Sequence, residues 1–137
     1  MSAETIQIDV KNVKIDDQFF EDIIVTALEG GSNYWIGHVI IKHPDENKPK
    51  DTPNSIWAAD ALNKGGVIKF YPDDEEKSYS LTKESLIYGL KHWINNNPSG
   101  FELYNKDDYN NIDAGNIDAD DADAILQYAL FGELVYG

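Results

Sequence analysis

The chain has 137 residues, with 25 acidic residues against 11 lysines, no arginine, no cysteine and a formal net charge of -14. The length is typical of one domain, and 42% hydrophobic residues are enough for a folded core. The lack of cysteine excludes disulfides, thiolate metal sites and cysteine nucleophiles. The lack of arginine argues against direct binding of nucleic acid, because arginine recognises phosphate and guanine best.

The start of the chain, Met1 to Glu4, carries neither basic residues nor an apolar run, so no signal peptide is predicted. The longest apolar runs have about four residues, far fewer than a membrane span needs. We therefore expect a single domain over residues 1–137 in the cytoplasm, with no membrane partner.

Hydrophobic periodicity and turn residues predict alternating strands and helices. The predicted strands are Thr5–Ile15 (an edge strand with a slip near Asn12), Tyr34–Lys42, Val67–Tyr71 and Lys77–Leu81. The predicted helices run from Asp16 or Asp17 to Glu29, from Asn54 or Ser55 to Asn63, from Thr82 to Asn96, and from Asp120 to Leu130.

These elements predict an α+β fold. We expect a three- to four-stranded, largely antiparallel sheet with three or four helices packed against it. The segment Phe101–Asn116 is polar and irregular, and Leu134–Tyr136 can dock as a short strand. Strand order does not follow from these patterns.

Half of the net charge lies between Glu102 and Asp123, where eight acids face Lys106 alone. Acids two to four residues apart stand about 6–7 Å from one another on a strand or helix, which is comparable to the spacing of phosphates along a nucleic-acid strand. A folded array of this kind can mimic nucleic acid toward a basic groove. The predicted partner-binding residues are Asp107, Asp108, Asp118, Asp120, Asp121, Asp123, the turn residues Asp73, Asp74, Glu75 and Glu76, and the interleaved Tyr104 and Tyr109.

A structural explanation of the same acids stays open. Acidic residues favour helix N-termini, where they cap free N–H groups and oppose the helix dipole, and Asp118–Asp123 is such a place. Acidic loops also keep many proteins in solution without binding anything.

The stretch Gly115–Tyr128 resembles half of a dockerin calcium repeat. In that register the first three ligand positions fall on Asn110, Ile112 and Ala114, and two of these have no side-chain oxygen. No second repeat is present. The sequence therefore predicts no calcium site.

No catalytic motif is found. The histidines, His38, His43 and His92, have no partner at metal-ligand spacing, and the glycines Gly30 and Gly31 follow a predicted helix where a phosphate loop would precede one. We predict no catalytic residue, no metal and no cofactor, and hence no enzyme.

Two segments, Val25–Trp35 (containing TALEGGSNYW) and Gln127–Gly137 (QYALFGELVYG), are similar to a family of small acidic proteins encoded by bacteriophages and prophages. Together they cover about a sixth of the chain. The resemblance implies no activity and no catalytic residues. It does imply a class of protein, since small acidic phage proteins are often inhibitors of host defence.

The leading hypothesis is a phage accessory protein, of anti-CRISPR or anti-restriction type, which inhibits a basic host protein such as a defence nuclease through its acidic surface. Two other functions stay open. One is a sponge that binds a signalling nucleotide near Tyr34, Trp35 and the Gly30–Gly31 turn. The other is an acidic protein-interaction module without mimicry.

Overall fold

The computed structural model describes residues 3–8, 11–96 and 117–137, and the side chains within residues 16–96 and 117–137. Its strands are β1 (Ala3–Ile8), β2 (Lys11–Asp16), β3 (Ile36–Lys42), β4 (Val67–Pro72) and β5 (Tyr79–Leu81). Its helices are α1 (Asp17–Thr26), α2 (Asn54–Asn63), α3 (Lys83–Asn96) and α4 (Ala119–Phe131), with a π-helical turn at Ala27–Gly31. The predicted α+β class is confirmed.

The predicted edge strand Thr5–Ile15 is wrong in one respect. The segment forms two antiparallel strands, β1 and β2, with Ala3 opposite Asp16 and Ile8 opposite Lys11. Asn12 is paired within β2, opposite Gln7, and the chain reverses direction between Ile8 and Lys11 where only a slip was expected. Alternation of polar and apolar residues is the same in both arms of a hairpin, so it does not reveal the turn.

The main sheet has three strands in the order β3–β4–β5, and both pairs are antiparallel. The central strand β4 alternates between half-buried and buried residues, and Ile68 and Phe70 face the core. Leu81 of β5 is also fully buried. The sheet thus buries one face beneath the helices.

Helix α1 begins at Asp16, whose Oδ1 accepts a hydrogen bond from the backbone N–H of Phe19 at 2.9 Å. The helix is followed by the π-helical turn, which ends where the N–H of Ser32 donates to the carbonyl of Ala27 at 2.9 Å. Gly31 lets another helix come close, because a Cβ there would lie 2.5 Å from the carbonyl oxygen of Ala119. The start of α4 therefore packs directly on this turn.

Helices α3 and α4 also pack closely. A Cβ on Gly89 of α3 would lie 2.5 Å from the carbonyl oxygen of Ile125 in α4, so no larger residue fits. Helix α4 ends at Gly132, which has a left-handed backbone with φ of 77°. Beyond it the predicted strand Leu134–Tyr136 does not form, and side-chain hydrogen bonds hold the tail in its place.

The core lies between the sheet and the four helices. Its largest fully buried side chains are Phe19, Phe20, Ile23, Ile24, Leu62, Ile68, Phe70, Leu81, Leu86 and Leu90. In the described part of the chain, no helix has the length and apolarity to cross a membrane.

Candidate functional site

Helix α4 is capped by its own acids. Asp118 accepts a hydrogen bond from the N–H of Asp121 at 2.8 Å, and the Asp121 carboxylate accepts one from the N–H of Asp118 at 3.4 Å. This reciprocal pair is a capping box, and it satisfies backbone groups that the helix start leaves free. The structural explanation therefore accounts for two of the acids predicted to bind a partner.

Asp123 faces the interior one turn further along α4 and is only 8% exposed. Its Oδ1 accepts hydrogen bonds from the hydroxyl of Ser32 and the indole N–H of Trp35, both at 2.7 Å. Its Oδ2 accepts from the hydroxyl of Tyr34 at 2.6 Å and from the amide of Gln127 at 3.0 Å. Four donors thus satisfy one buried carboxylate, as burial of a charge requires.

The prediction that Asp123 belongs to a partner-binding surface is wrong. Its carboxylate joins α4 to the residues after the π-helical turn, so it is occupied within the fold. The physical reason is helical spacing: Asp123 lies on the same side of α4 as Gln127, four residues on, and that side is buried.

Gln127 holds the C-terminal tail on the same side of α4. Its Oε1 accepts hydrogen bonds from the backbone N–H groups of Val135 and Tyr136, both at 2.8 Å, and its Nε2 donates to the carbonyl of Tyr136 at 3.2 Å. The ring of Tyr136 consequently stacks on Trp35, with centroids 5.1 Å apart and planes 2° apart. One buried amide therefore places an aromatic ring of the tail over the core.

A cavity of about 360 Å³ opens on one side of Tyr136. We call it the Tyr34 cavity, and it is lined by Tyr34, Trp35, Asp73, Asp74, Tyr136 and Gly137. A second cavity of about 360 Å³, the Tyr79 cavity, also has Tyr136 in its wall. It is lined by Glu75, Tyr79, Leu130, Phe131, Glu133, Val135 and Tyr136.

The turn after β4 supplies most of the charge around these cavities. The backbone N–H of Asp73 donates to the carbonyl of Trp35 at 2.9 Å, and Gly37 leaves room for the Asp73 carboxylate beside β3. Asp74 accepts a hydrogen bond from the hydroxyl of Tyr136 at 2.7 Å, and Glu75 accepts one from Tyr79 at 3.3 Å. The turn is thus tied to both aromatic walls while its acids stay exposed.

The acids also affect the tyrosines. Burial raises the pKa of Tyr34 to about 12, with further increases from the hydrogen bond to Asp123 and from the charges of Asp123 and Asp120. Burial and the hydrogen bond to Asp74 raise the pKa of Tyr136 as well. For Tyr79 the hydrogen bond to Glu75 is the largest cause of a raised pKa. All three hydroxyls remain protonated donors at neutral pH.

We define the acidic tail face as the two cavities together with Asp120, whose charge acts on Tyr34. It contains five acids besides: Asp73, Asp74, Glu75 and Glu133 around the cavities, and Glu76 next to them in the turn. Neither cavity is lined by a lysine, and within residues 16–96 and 117–137 no ion pair links the turn acids to one. The nearest lysine of the turn, Lys77, lies 5.0 Å from the centroid of the Tyr79 ring.

The structure brings together part of the predicted site. The turn Asp73–Glu76 and Asp120 are exposed, whereas Asp118 and Asp121 form the capping box. Four predicted residues, Tyr104, Asp107, Asp108 and Tyr109, lie outside the described residues.

Sequence reasoning missed Tyr136, Tyr79 and Glu133 as site residues. The signals for Tyr136 were the apolar tail Leu134–Tyr136, interpreted as a strand, and its place in the resemblance segment Gln127–Gly137, which assigned it no role. Its role depends on ring stacking with Trp35, which lies 101 positions earlier in the chain. No local pattern in the sequence indicates such a contact.

A second acidic cluster surrounds His43. Its Nε2 lies 2.7 Å from Oδ2 of Asp60, its Nδ1 accepts from the backbone N–H of Asp45, and its ring stacks on Trp57. His43, Asp45 and Asp60 offer ligand atoms within 4.8 Å of one another, so they form a candidate metal group. However, the ammonium of Lys64 lies 3.3 Å from Asp45 and 3.2 Å from Asp60.

Both acids of the cluster are therefore paired with a cation of the chain itself. Lys64 and His43 lower the pKa of Asp60 through hydrogen bonds and charge, despite an opposing effect of burial. The arrangement ties the loop after β3 to α2. The prediction from histidine spacing did not foresee it, because His43 and Asp60 are 17 positions apart.

Within the described residues, neither the nucleotide site nor the calcium register considered from the sequence is formed as the patterns suggest. A cavity does lie beside Tyr34 and Trp35, but Gly30 and Gly31 belong to the π-helical turn and do not line it. The predicted calcium register falls mostly outside the described residues, and its last position, Asp121, takes part in the capping box.

Comparisons with protein-family models, with curated proteins and with solved structures found no match.

Proposed function

We propose that this protein is a non-enzymatic binding module that engages a basic protein partner through the acidic tail face. The observation that supports this is the set of acids around two aromatic-walled cavities that no lysine lines. Around His43, by contrast, Asp45 and Asp60 are paired with a lysine of the chain itself. Acids left without a cation in the fold are available to one from outside.

The charge of the whole chain favours such a partner. A net charge of -14 produces a field that attracts basic proteins and speeds their association, particularly at low salt. The aromatic rings add the apolar area that interfaces need, since tyrosine and tryptophan are enriched in binding hot spots. Tyr34 is 55% exposed and is available for this role.

In its finer form the proposal is a phage or prophage accessory protein that acts in the host cytoplasm. Its partner would be a nucleic-acid-binding defence protein, and the acids would mimic phosphates of the anti-CRISPR or anti-restriction type. The family resemblance supports this, since its two segments contain Tyr34, Trp35 and Tyr136, which build the Tyr34 cavity. Within the described residues, the mimicking acids would be Asp120, Glu133 and the turn Asp73–Glu76.

The geometry favours a cation over the nucleotide of the sponge hypothesis. A phosphate in the Tyr34 cavity would meet the carboxylates of Asp73 and Asp74, and no lysine lines the cavity to offset the repulsion. An interaction module without mimicry would use the same face, and competition with nucleic acid separates the two.

The test neutralises three turn acids while keeping their shape. In Asp73→Asn, Asp74→Asn and Glu75→Gln combined, the amide oxygens still accept the bonds from Tyr136 and Tyr79. A matched control, Glu46→Gln, Asp51→Asn and Glu84→Gln combined, changes the net charge equally at exposed positions that line neither cavity.

Both variants and the unchanged protein would be immobilised, and partners captured from a bacterial host lysate at low and high salt. We expect the turn variant to lose captured basic proteins that the control retains. Equal capture by all three proteins would contradict the proposal. Duplex DNA added as a competitor should displace the chain from its partner if the acids mimic phosphates, and should leave the complex intact if they do not.

A further inference from the structure

Resting on the proposed function, we infer that the Tyr34 cavity is the receptor for an arginine side chain of the partner. This deepens the proposed function by naming the group that is recognised. The cavity combines the rings of Tyr34 and Tyr136, the latter backed by the buried Trp35, with two adjacent carboxylates. A guanidinium group fits both features, because it stacks on aromatic rings and donates several parallel hydrogen bonds to carboxylates.

The aromatic walls are fixed before any ligand arrives. Trp35 is held through its indole N–H by Asp123 and through its ring by Tyr136. Tyr34 is anchored by its hydroxyl at 2.6 Å from Asp123, so its ring stays in place although it is largely exposed. Such preorganisation reduces the entropy that binding would otherwise cost.

The carboxylates of Asp74 and Asp73 differ in how many of their hydrogen-bond acceptor sites are already used. Asp74 accepts one hydrogen bond from Tyr136, which leaves further lone pairs of its oxygens unused. Asp73 is positioned by its backbone N–H, and within the described residues its carboxylate has no hydrogen-bond or ion-pair partner. A cation in the cavity would therefore find one wholly unused carboxylate and one partly used.

Arginine suits this cavity better than lysine. Its planar group is weakly hydrated and presents five donors in a fixed fork, whereas a lysine ammonium is compact and strongly hydrated. The chain contains no arginine that could fill the cavity from within. Its own Lys77 contacts the ring of Tyr79 instead. Arginine from a partner is thus the cation that the cavity can select.

The test uses two synthetic peptides of equal length and charge, one with arginine as its only basic residue and one with lysine. Affinities would be measured by calorimetry at several salt concentrations for the unchanged protein, Asp73→Asn and the control Asp51→Asn. We expect the unchanged protein to bind the arginine peptide about tenfold more tightly than the lysine peptide, which corresponds to roughly one good charge-assisted contact. Asp73→Asn should remove most of that preference, and Asp51→Asn should keep it.

A spectroscopic measurement locates the contact. The NMR signal of the Trp35 indole N–H should shift with the arginine peptide and should shift much less with the lysine peptide. Equal affinities for the two peptides would overturn the arginine inference. If the affinities were equal and the triple turn variant lost both peptides, the acidic tail face would still bind cations and the proposed function would stand. If the unchanged protein bound neither peptide, the arginine inference would be overturned and the proposed function would lose support.

Discussion

Asp123 and Asp73 both contact Trp35, yet their carboxylates have opposite fates. Asp123 is buried and accepts four hydrogen bonds, one of them from the indole N–H of Trp35. The backbone N–H of Asp73 donates to the Trp35 carbonyl, and the Asp73 side chain is exposed. The sequence presents both as acids in acidic surroundings. The comparison shows that acidic residues of this chain divide into those that hold the fold together and those left for a partner.

The largest expected effect comes from removing the buried acid. Asp123→Ala should destabilise the fold by about 3–5 kcal/mol, because the donors of Ser32 and Trp35 are left without an acceptor in the interior and Tyr34 loses its bond as well. Urea denaturation measures the change. Asp120→Ala, an exposed acid of the same helix, should change stability by less than about 0.5 kcal/mol. A similar small effect of both substitutions would mean that Asp123 does not have the structural role assigned to it.

The second-largest loss of stability is expected at Gln127, whose side chain connects the buried Asp123 to the C-terminal tail. Gln127→Ala should cost about 1–2 kcal/mol, since the part-buried N–H groups of Val135 and Tyr136 lose their acceptor. It should also expose the segment after Gly132 to proteolysis. The control is Gln18→Ala, because the Gln18 amide only donates to Asp22 on the surface. Unchanged cleavage of the Gln127 variant would show that the stacking of Tyr136 holds the tail unaided.

The outlines of the fold followed from local patterns. Helix starts at Asp16 and Thr82 were predicted from capping residues, and the structure confirms both, with hydrogen bonds to the N–H groups of Phe19 and Ser85. The strands β3 and β4 followed from their β-branched and alternating residues. These features depend on neighbours within a few positions, so a sequence contains the information for them directly.

The site was only partly predictable, because its contacts are distant in sequence. Asp123 meets Ser32 and Trp35 across 91 and 88 positions, and nothing near Asp123 indicates that these donors will be there. Counting acids by density placed Asp123 on the surface. The turn Asp73–Glu76 was predicted correctly as exposed, since a short acidic loop between paired strands has no core to enter.

A smaller effect concerns Tyr34, which lies between the buried and the exposed acids. Its pKa is raised to about 12 in the folded protein, mainly by burial and by the hydrogen bond to Asp123, from about 10 when unfolded. A raised pKa means that stability is complete below about pH 10 and decreases as the pH approaches about 12. Tyr34→Phe should cost about 0.5–1.5 kcal/mol at neutral pH and should make the alkaline decrease shallower.

Denaturation of both proteins at neutral and alkaline pH measures this difference. The decrease should not vanish in the variant, because the pKa of Tyr136 is also raised. Identical alkaline slopes would show that Tyr34 does not titrate with folding, and that its hydroxyl is not held by Asp123 in solution.

The smallest change in stability is expected for the acids of the turn Asp73–Glu76, whose substitution should have the largest effect on partner binding. Combined Asp73→Asn, Asp74→Asn and Glu75→Gln should change the free energy of unfolding by less than about 0.5 kcal/mol, because exposed acids contribute little and their amides keep the hydrogen bonds to Tyr136 and Tyr79. Reduced self-repulsion in a chain of net charge -14 should even favour the folded state slightly, and the gain should shrink as salt screens it. Thermal denaturation at low and high salt, beside the control triple variant, measures both trends. A loss above about 1.5 kcal/mol would place the turn acids with Asp123 among the residues that hold the fold, since surface acids free for a partner do not cost that much to neutralise.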